Sequence, residues 1–171
     1  RFYGTARGPA IFRLDEHIDR LYYSADVFDI VVPYTKEALK AAIVETVRAS
    51  GEVAGYIRPI IYLGYGQMGL SRLEDARVEC AVAVWPWGAY IGDEAVRIKT
   101  SHIIRIHPRS TVADAKICGH YVNSILANKD ATRDGFDEAL LLDYEGNIAE
   151  GPGENIFFVK DGELLTPKLG S

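Results

Sequence analysis

The sequence predicts an α+β chain organised as two sub-domains. Three observations carry this. Two early stretches place apolar residues at helical spacing. Runs rich in β-branched and aromatic residues surround them. A break around Gly92 then separates this half from one of short strands and tight turns. With 48% apolar and 25% charged residues among 171, the chain can bury a sizeable core and has an ordinary globular balance.

Residues 1–6 and 10–12 read as two strands joined by the turn Arg7-Gly8-Pro9. Over 14–28, Leu14, Ile18, Leu21, Ala25 and Phe28 fall on one helical face. A second helix is expected over 35–50, with Thr35 as N-cap, Gly51 as stop and Leu39, Ala42, Ile43 and Val47 as its apolar side. Residues 56–63 and 78–85 read as strands, and the polar, glycine-containing stretch 64–75 between them as a mobile loop. Beyond the break, strands are expected over 96–100, 139–143, 147–150, 155–160 and 163–166, with a helix over 119–132. The turns Glu145-Gly146-Asn147 and Asp161-Gly162 make hairpins of the last four. The expected division is a small N-terminal domain over 1–91, a linker over 92–96 and the start of a second domain over 97–171.

Basic residues number 19 against 24 acidic, a net charge of −5, which argues against nucleic acid or an anionic membrane as the main partner. The longest strictly apolar run, residues 80–85, is far too short to span a bilayer. Cys80 and Cys118 signal neither a disulfide framework nor a zinc cluster, and a cytoplasmic setting is expected. His17, His102, His107 and His120 lack metal-ligand spacing, so no metal is expected. The chain opens on a strand already under way, without Met, and closes on a strand entering a loop, as expected of a fragment.

Several residues invite chemistry. Lys116, in the mostly small and apolar Ala113-Asp114-Ala115-Lys116-Ile117-Cys118-Gly119, is open between a surface lysine and an amine nucleophile of lowered pKa. Tyr121 reaches it if a helix starts between them, and otherwise anchors the core; Asn123 follows on the same segment. Glu150 precedes Gly151-Pro152-Gly153-Glu154-Asn155, a tight turn able to aim a carboxylate or simply a solvated hairpin end. His17 and Arg20 share a helix face, and Arg20 is either a snorkelling surface group or a phosphate clamp. Arg58, in an otherwise apolar strand, needs a partner or a ligand. Trp87 and Tyr90 flank Gly88 and suit a pocket wall or a domain junction. The glycines of residues 64–69 miss the dinucleotide fingerprint, and Cys118 and His120, two apart, do not form a thiol–base pair.

Five segments together resemble the branched-chain amino acid aminotransferases of fold type IV, in that family's order and across essentially the whole chain. They are His17-Ile18-Asp19-Arg20-Leu21, Tyr56-Ile57-Arg58-Pro59, Pro86-Trp87-Gly88-Ala89-Tyr90, Ala115-Lys116-Ile117-Cys118-Gly119-His120-Tyr121 and Glu150-Gly151-Pro152-Gly153-Glu154-Asn155. The resemblance implies a two-domain fold of the D-amino acid aminotransferase type, with residues 97–171 opening the larger, cofactor-binding domain, and pyridoxal 5'-phosphate as cofactor. Lys116 would be the catalytic Schiff-base lysine. Arg20 would clamp the phosphate, Tyr121 would bond the ring 3-oxygen, Glu150 would face the pyridine nitrogen, and Asn155 would complete the cofactor set. On the substrate side it implies Tyr56 and Arg58 near the α-carboxylate, and Phe2, Trp87, Tyr90 and Tyr121 around the side chain. Arg1 would sit at the acidic end of the pocket. Leu70 would come from a neighbouring subunit, hence a homodimer or a higher homo-oligomer. A further half-domain with a second phosphate-binding loop is also implied. His120 stands where the family often has Asn or another polar residue. The activity implied is transfer of the amino group of L-leucine, isoleucine or valine to 2-oxoglutarate by a ping-pong mechanism. Lys116, Glu150 and Arg20 are equally expected in D-amino acid and R-amine transaminases and aminodeoxychorismate lyase, which share the fold. A non-catalytic cofactor-binding or dimerisation module is the other class of reading.

Overall fold

Two helices form where the apolar spacing requires them. Helix α1 (Leu14–Asp26) carries Asp15 and Glu16 in its first turn, where carboxylates face the positive end of the helix dipole. Helix α2 (Lys36–Ser50) starts on Thr35, whose hydroxyl accepts from the Ala38 N–H at 3.1 Å. A computed structural model of the chain describes residues 1–66, 69, 76–88, 92 and 94–168, which fall into two units, Arg1–Tyr90 and Ile91–Ser171.

In the first unit, β1 (Phe2–Thr5) pairs antiparallel with β2 (Gly8–Ile11), and β3 (Tyr56–Leu63) with β4 (Val78–Trp85). The first turn falls earlier than the sequence suggests. The Thr5 hydroxyl donates to the Gly8 carbonyl at 2.7 Å and accepts from the Arg7 N–H, which closes the hairpin before Pro9 is reached. Buried Ile18, Leu39 and Ile43 pack with Ile57 and Val82, so both helices cover one face of the β3–β4 hairpin. Phe2 bridges Gly55 and is 1% exposed. Position 55 must be glycine for this, because a Cβ there would lie 2.5 Å from the Trp85 carbonyl oxygen and 3.0 Å from the Phe2 ring. The β3–β4 ladder continues through Gly64, whose N–H donates to the Arg77 carbonyl at 2.7 Å. Most of the expected loop, with Leu70, lies outside the described residues.

In the second unit, β5 (Ile98–Thr100) runs parallel to β6 (Glu138–Leu142), which pairs antiparallel with β7 (Ile148–Glu150). Helix α3 (Tyr121–Arg133) packs on this sheet through Ala127 and Ala131, against Ala139 and Leu141. It begins two residues later than expected, because Cys118–His120 form a 3-10 turn instead. A separate hairpin joins β8 (Phe158–Lys160) and β9 (Glu163–Leu165) through Asp161 and Gly162, both left-handed with φ of 53° and 82°. The strand expected from residue 155 starts only at Phe158, since the Ile156 carbonyl accepts from the Thr166 hydroxyl rather than from a ladder partner.

Candidate active site

The approach to α3 decides where Lys116 lies. Ile117 is extended, with φ −109° and ψ 139°, and the 3-10 turn follows before the helix begins at Tyr121. This path folds the chain back, so that the Lys116 Nζ donates to the Tyr121 Oη at 2.6 Å. The same Nζ lies 5.1 Å from the centre of the phenol ring. Tyr121 is 38% exposed, so it is not the core anchor that a helical tyrosine usually becomes. Lys116 is exposed as well, and the desolvation expected from its small, apolar neighbours is not supplied by the described residues. Those neighbours are mostly surface themselves, with Ala115 alone in the short segment fully buried.

Glu150 ends β7 opposite Leu141, beside a register shift in β6 between Leu141 and Leu142. It forms an ion pair with Arg105, whose side chain is 18% exposed. Arg105 reaches it because the chain after β5 continues along β6, with the Ser101 N–H donating to the Leu140 carbonyl and the Arg105 N–H to that of Leu142. The Asn123 side-chain amide donates to the Ile104 carbonyl at 2.9 Å, which ties α3 to the segment carrying Arg105. His120 sits in the same field. Burial first, and the Arg105 charge second, push its pKa below the ordinary histidine value, against a hydrogen bond with the Ala115 backbone. Its Nε2 lies 2.8 Å from the Thr111 hydroxyl. Asn155 is exposed just after the Gly151–Glu154 turn.

In the first unit, Tyr56 and Trp85 are cross-strand partners with ring centres 5.1 Å apart. Trp87 completes the cluster, 4.9 Å from Tyr56 and 5.7 Å from Trp85. Arg1 lies over Tyr56 and Trp87, and its Nη1 donates to the carbonyls of Trp87 at 3.0 Å and Gly88 at 2.9 Å. Phe2 is a buried packing residue against Gly55. Arg58 stands exposed on the open face of β3, 5.4 Å from the Tyr56 ring centre and 5.5 Å from that of Trp85. The buried partner that an apolar strand demands is therefore not needed. Within the first unit, α1 and α2 pack on the Ile57 side of β3, and alternation sends Arg58 the other way. Arg20 is exposed on α1, with its Nη2 3.2 Å from the His17 Nδ1. Tyr90 lies outside the described residues.

Trp85, Arg105 and Thr111 join these groups without having been singled out from the sequence. Trp85 was readable as the cross-strand partner of Tyr56. Arg105 carries the same signal that drew notice to Arg58, a charge in the apolar run Ile103-Ile104-Arg105-Ile106.

Comparison with known proteins follows this geometry. The family described as amino-transferase class IV matches residues 4–171. A branched-chain-amino-acid aminotransferase of Pseudomonas aeruginosa is 42% identical over 99% of the chain, which spans 56% of that relative's length. The crystal structure of the Escherichia coli branched-chain amino acid aminotransferase superposes with a TM-score of 0.94 at 36% identity, over 99% of this chain and 57% of that one. The T.th. branched-chain amino acid aminotransferase with pyridoxamine 5'-phosphate superposes at 0.89 with 48% identity, over 97% of this chain and 56% of that one. The motif order, the α+β architecture and a match over nearly all of its length agree, and the chain belongs to the class IV amino-transferase family.

Proposed function

We propose that this protein is a pyridoxal-phosphate-dependent transaminase that moves the amino group of branched-chain L-amino acids to 2-oxoglutarate by a ping-pong mechanism. The observation that carries the reading is the Lys116–Tyr121 pair at 2.6 Å, in a chain 42% identical to a branched-chain-amino-acid aminotransferase. The side chains suit the cofactor. They include an amine beside a phenol, a carboxylate held by a guanidinium, and a second guanidinium exposed on a helix. When bound, pyridoxal phosphate supplies a carbonyl for the amino group and a ring that takes up electrons from the substrate's Cα.

Lys116 holds the cofactor and moves the proton at Cα, while Tyr121 orients the Lys116 amine and bonds the ring oxygen. Glu150 faces the ring nitrogen, and Arg105 fixes its direction. Asn155 supports the same end. Tyr56 and Arg58 take the α-carboxylate, and Phe2, Trp87, Tyr90 and Tyr121 surround the substrate side chain. Leu70 comes from a second subunit, so the working form is a homodimer or a larger homo-oligomer. The domain division of this reading is a small domain over 1–91, a linker over 92–96 and the start of the cofactor domain from 97. A cytoplasmic location goes with this chemistry, and among the described residues no helix is long and apolar enough to cross a membrane. The direct test is amino transfer from L-leucine to 2-oxoglutarate by the full-length protein. Preferential turnover of D-amino acids would move it to a sister activity of the same fold.

Arg20 carries the phosphate. Loss of one charge-assisted contact is worth about 1.5–3 kcal/mol, a roughly ten- to hundredfold loss of cofactor affinity. Arg20→Ala is therefore expected to release cofactor on dialysis and to recover activity with added pyridoxal phosphate. An unaltered cofactor dissociation constant sinks this assignment.

Arg1 sorts the substrates. Two backbone carbonyls engage its Nη1 and two rings flank its guanidinium, which leaves a fixed positive group beside apolar wall. Arg1→Ala is expected to slow the half-reactions of glutamate and 2-oxoglutarate far more than that of leucine. Each methylene in an apolar wall is worth only about 1–3 kcal/mol, so leucine, isoleucine and valine stay within a modest range of one another. Equal losses for leucine and glutamate mean that Arg1 is structural.

A further inference from the structure

The segment that carries Lys116 is closed at its base by two side chains. The Thr111 Oγ1 and the His120 Nε2 lie 2.8 Å apart across nine positions, with Lys116 between them and both residues half-buried. Inside the loop the Ala115 N–H donates to the Val112 carbonyl at 3.1 Å, the Ile117 N–H to that of Ala115 at 3.2 Å, and the His120 N–H to that of Ile117 at 3.1 Å. Each of these bonds spans three residues or fewer and shapes a turn. The Thr111–His120 bond spans the whole loop. Both of its ends are moored. On one side His120 leads into α3, whose Asn123 amide holds the Ile104 carbonyl at 2.9 Å. On the other, Thr111 follows a turn in which the Ser110 N–H and hydroxyl donate to the His107 carbonyl at 2.9 and 2.7 Å. The His107 ring centre lies 4.4 Å from that of Tyr144, between β6 and β7.

We propose that this bond is a clasp on the loop, and that Thr111 and His120 are positioning residues for Lys116, resting on the reading of Lys116 as the lysine that holds the cofactor. Tyr121 belongs to α3, while Lys116 belongs to the loop. The 2.6 Å contact between Nζ and Oη therefore depends on where the loop stands relative to the helix. The clasp fixes this, because it ties the far end of the loop to the residue before Tyr121. Without it the loop regains backbone freedom and the amine loses its aim. The chemistry of the pair suits a standing bond. Burial first, and the Arg105 charge second, hold the imidazole pKa below the ordinary histidine value, so the ring is uncharged near neutral pH. An uncharged ring offers one N–H and one bare nitrogen, and a hydroxyl both donates and accepts, so the bond forms in either tautomer.

The test uses the full-length holoenzyme. Thr111→Val and His120→Phe keep the shape of each side chain and remove the bond. Each is expected to lower kcat roughly ten- to hundredfold at little change in KM, as for a catalytic group displaced by about 1 Å. Each is also expected to shift the midpoint at which the visible absorbance of lysine-bound cofactor titrates with pH, and to speed amide hydrogen exchange at residues 112–119. The double variant is expected to lose no more than the worse single one, because both remove the same bond. Thr111→Ser and His120→Gln, whose amide reaches the place of Nε2, are expected to restore most of the activity. Losses that multiply in the double variant overturn the proposal. So does an unchanged kcat, midpoint or exchange rate in both single variants while Lys116→Ala is impaired. A Lys116→Ala variant that keeps the chromophore and its turnover removes the role of Lys116 and the positioning role with it. Where His120→Phe does not fold, Thr111→Val and Thr111→Ser decide, and equal kcat values in those two overturn the proposal.

Discussion

Replacing Lys116 with alanine in the full-length protein is expected to abolish turnover, by at least about 10⁴-fold, and to remove the visible absorbance of lysine-bound cofactor. The magnitude follows from the two tasks that one amine performs. In the proposed reading it holds the cofactor and moves a proton at Cα. A positioned proton-transfer group alone contributes about 10²–10⁴. Loss of the covalent task adds to that. The proposed reading gives both tasks to this lysine, whose Nζ lies 2.6 Å from the Tyr121 hydroxyl. Absorption spectra before and after borohydride reduction, together with single-turnover kinetics, check this. A variant that kept the reducible chromophore and its turnover would exclude Lys116.

Local chemistry was legible wherever it was decided locally. β3 and β4 could be bounded from sequence because β-branched and aromatic runs met glycine or polar residues at each end, and Thr35 announced α2 because a hydroxyl before an apolar-periodic run has an N–H to cap. The five segments similarly carried the family without any contact being known. What could not be read was decided between distant residues. Arg58 and Arg105 look alike in sequence, each a cation in an apolar run. Alternation puts Arg58 on the open face of β3, while Arg105 follows β6 to an ion pair with Glu150. Only the sheet distinguishes them. Glu138 reads as a polar residue at a strand start, and nothing near it in sequence says that it is buried with its Oε1 accepting from the Asn128 amide of α3. The late start of α3 is a subtler case. Gly119 weakens the first turn, so the chain takes a 3-10 path, and it is this path that brings Tyr121 back to Lys116.

The second large effect is expected at Glu150. Glu150→Gln keeps the shape of the side chain and removes its charge, so the fold and the binding of the cofactor should largely survive. The loss falls where negative charge develops as Cα gives up its proton. Removing one preorganised electrostatic partner of a transition state costs about 10²–10³ in kcat. The effect is expected in kcat and not in KM, because in the proposed reading the carboxylate acts on the reacting electrons and not on the resting substrate. Arg105 sharpens this expectation. In the parent protein its guanidinium pairs with Glu150 and fixes the carboxylate's direction. In the variant it faces an amide, which can accept through its oxygen and so turn its N–H₂ toward the ring nitrogen. An amide donor there disfavours a protonated ring, which is the opposite of what the reaction needs. The chemical step should therefore become more strongly limiting, with a larger kinetic isotope effect from deuterium at Cα. Unchanged turnover with an unchanged isotope effect would mean that Glu150 serves the hairpin and not the reaction.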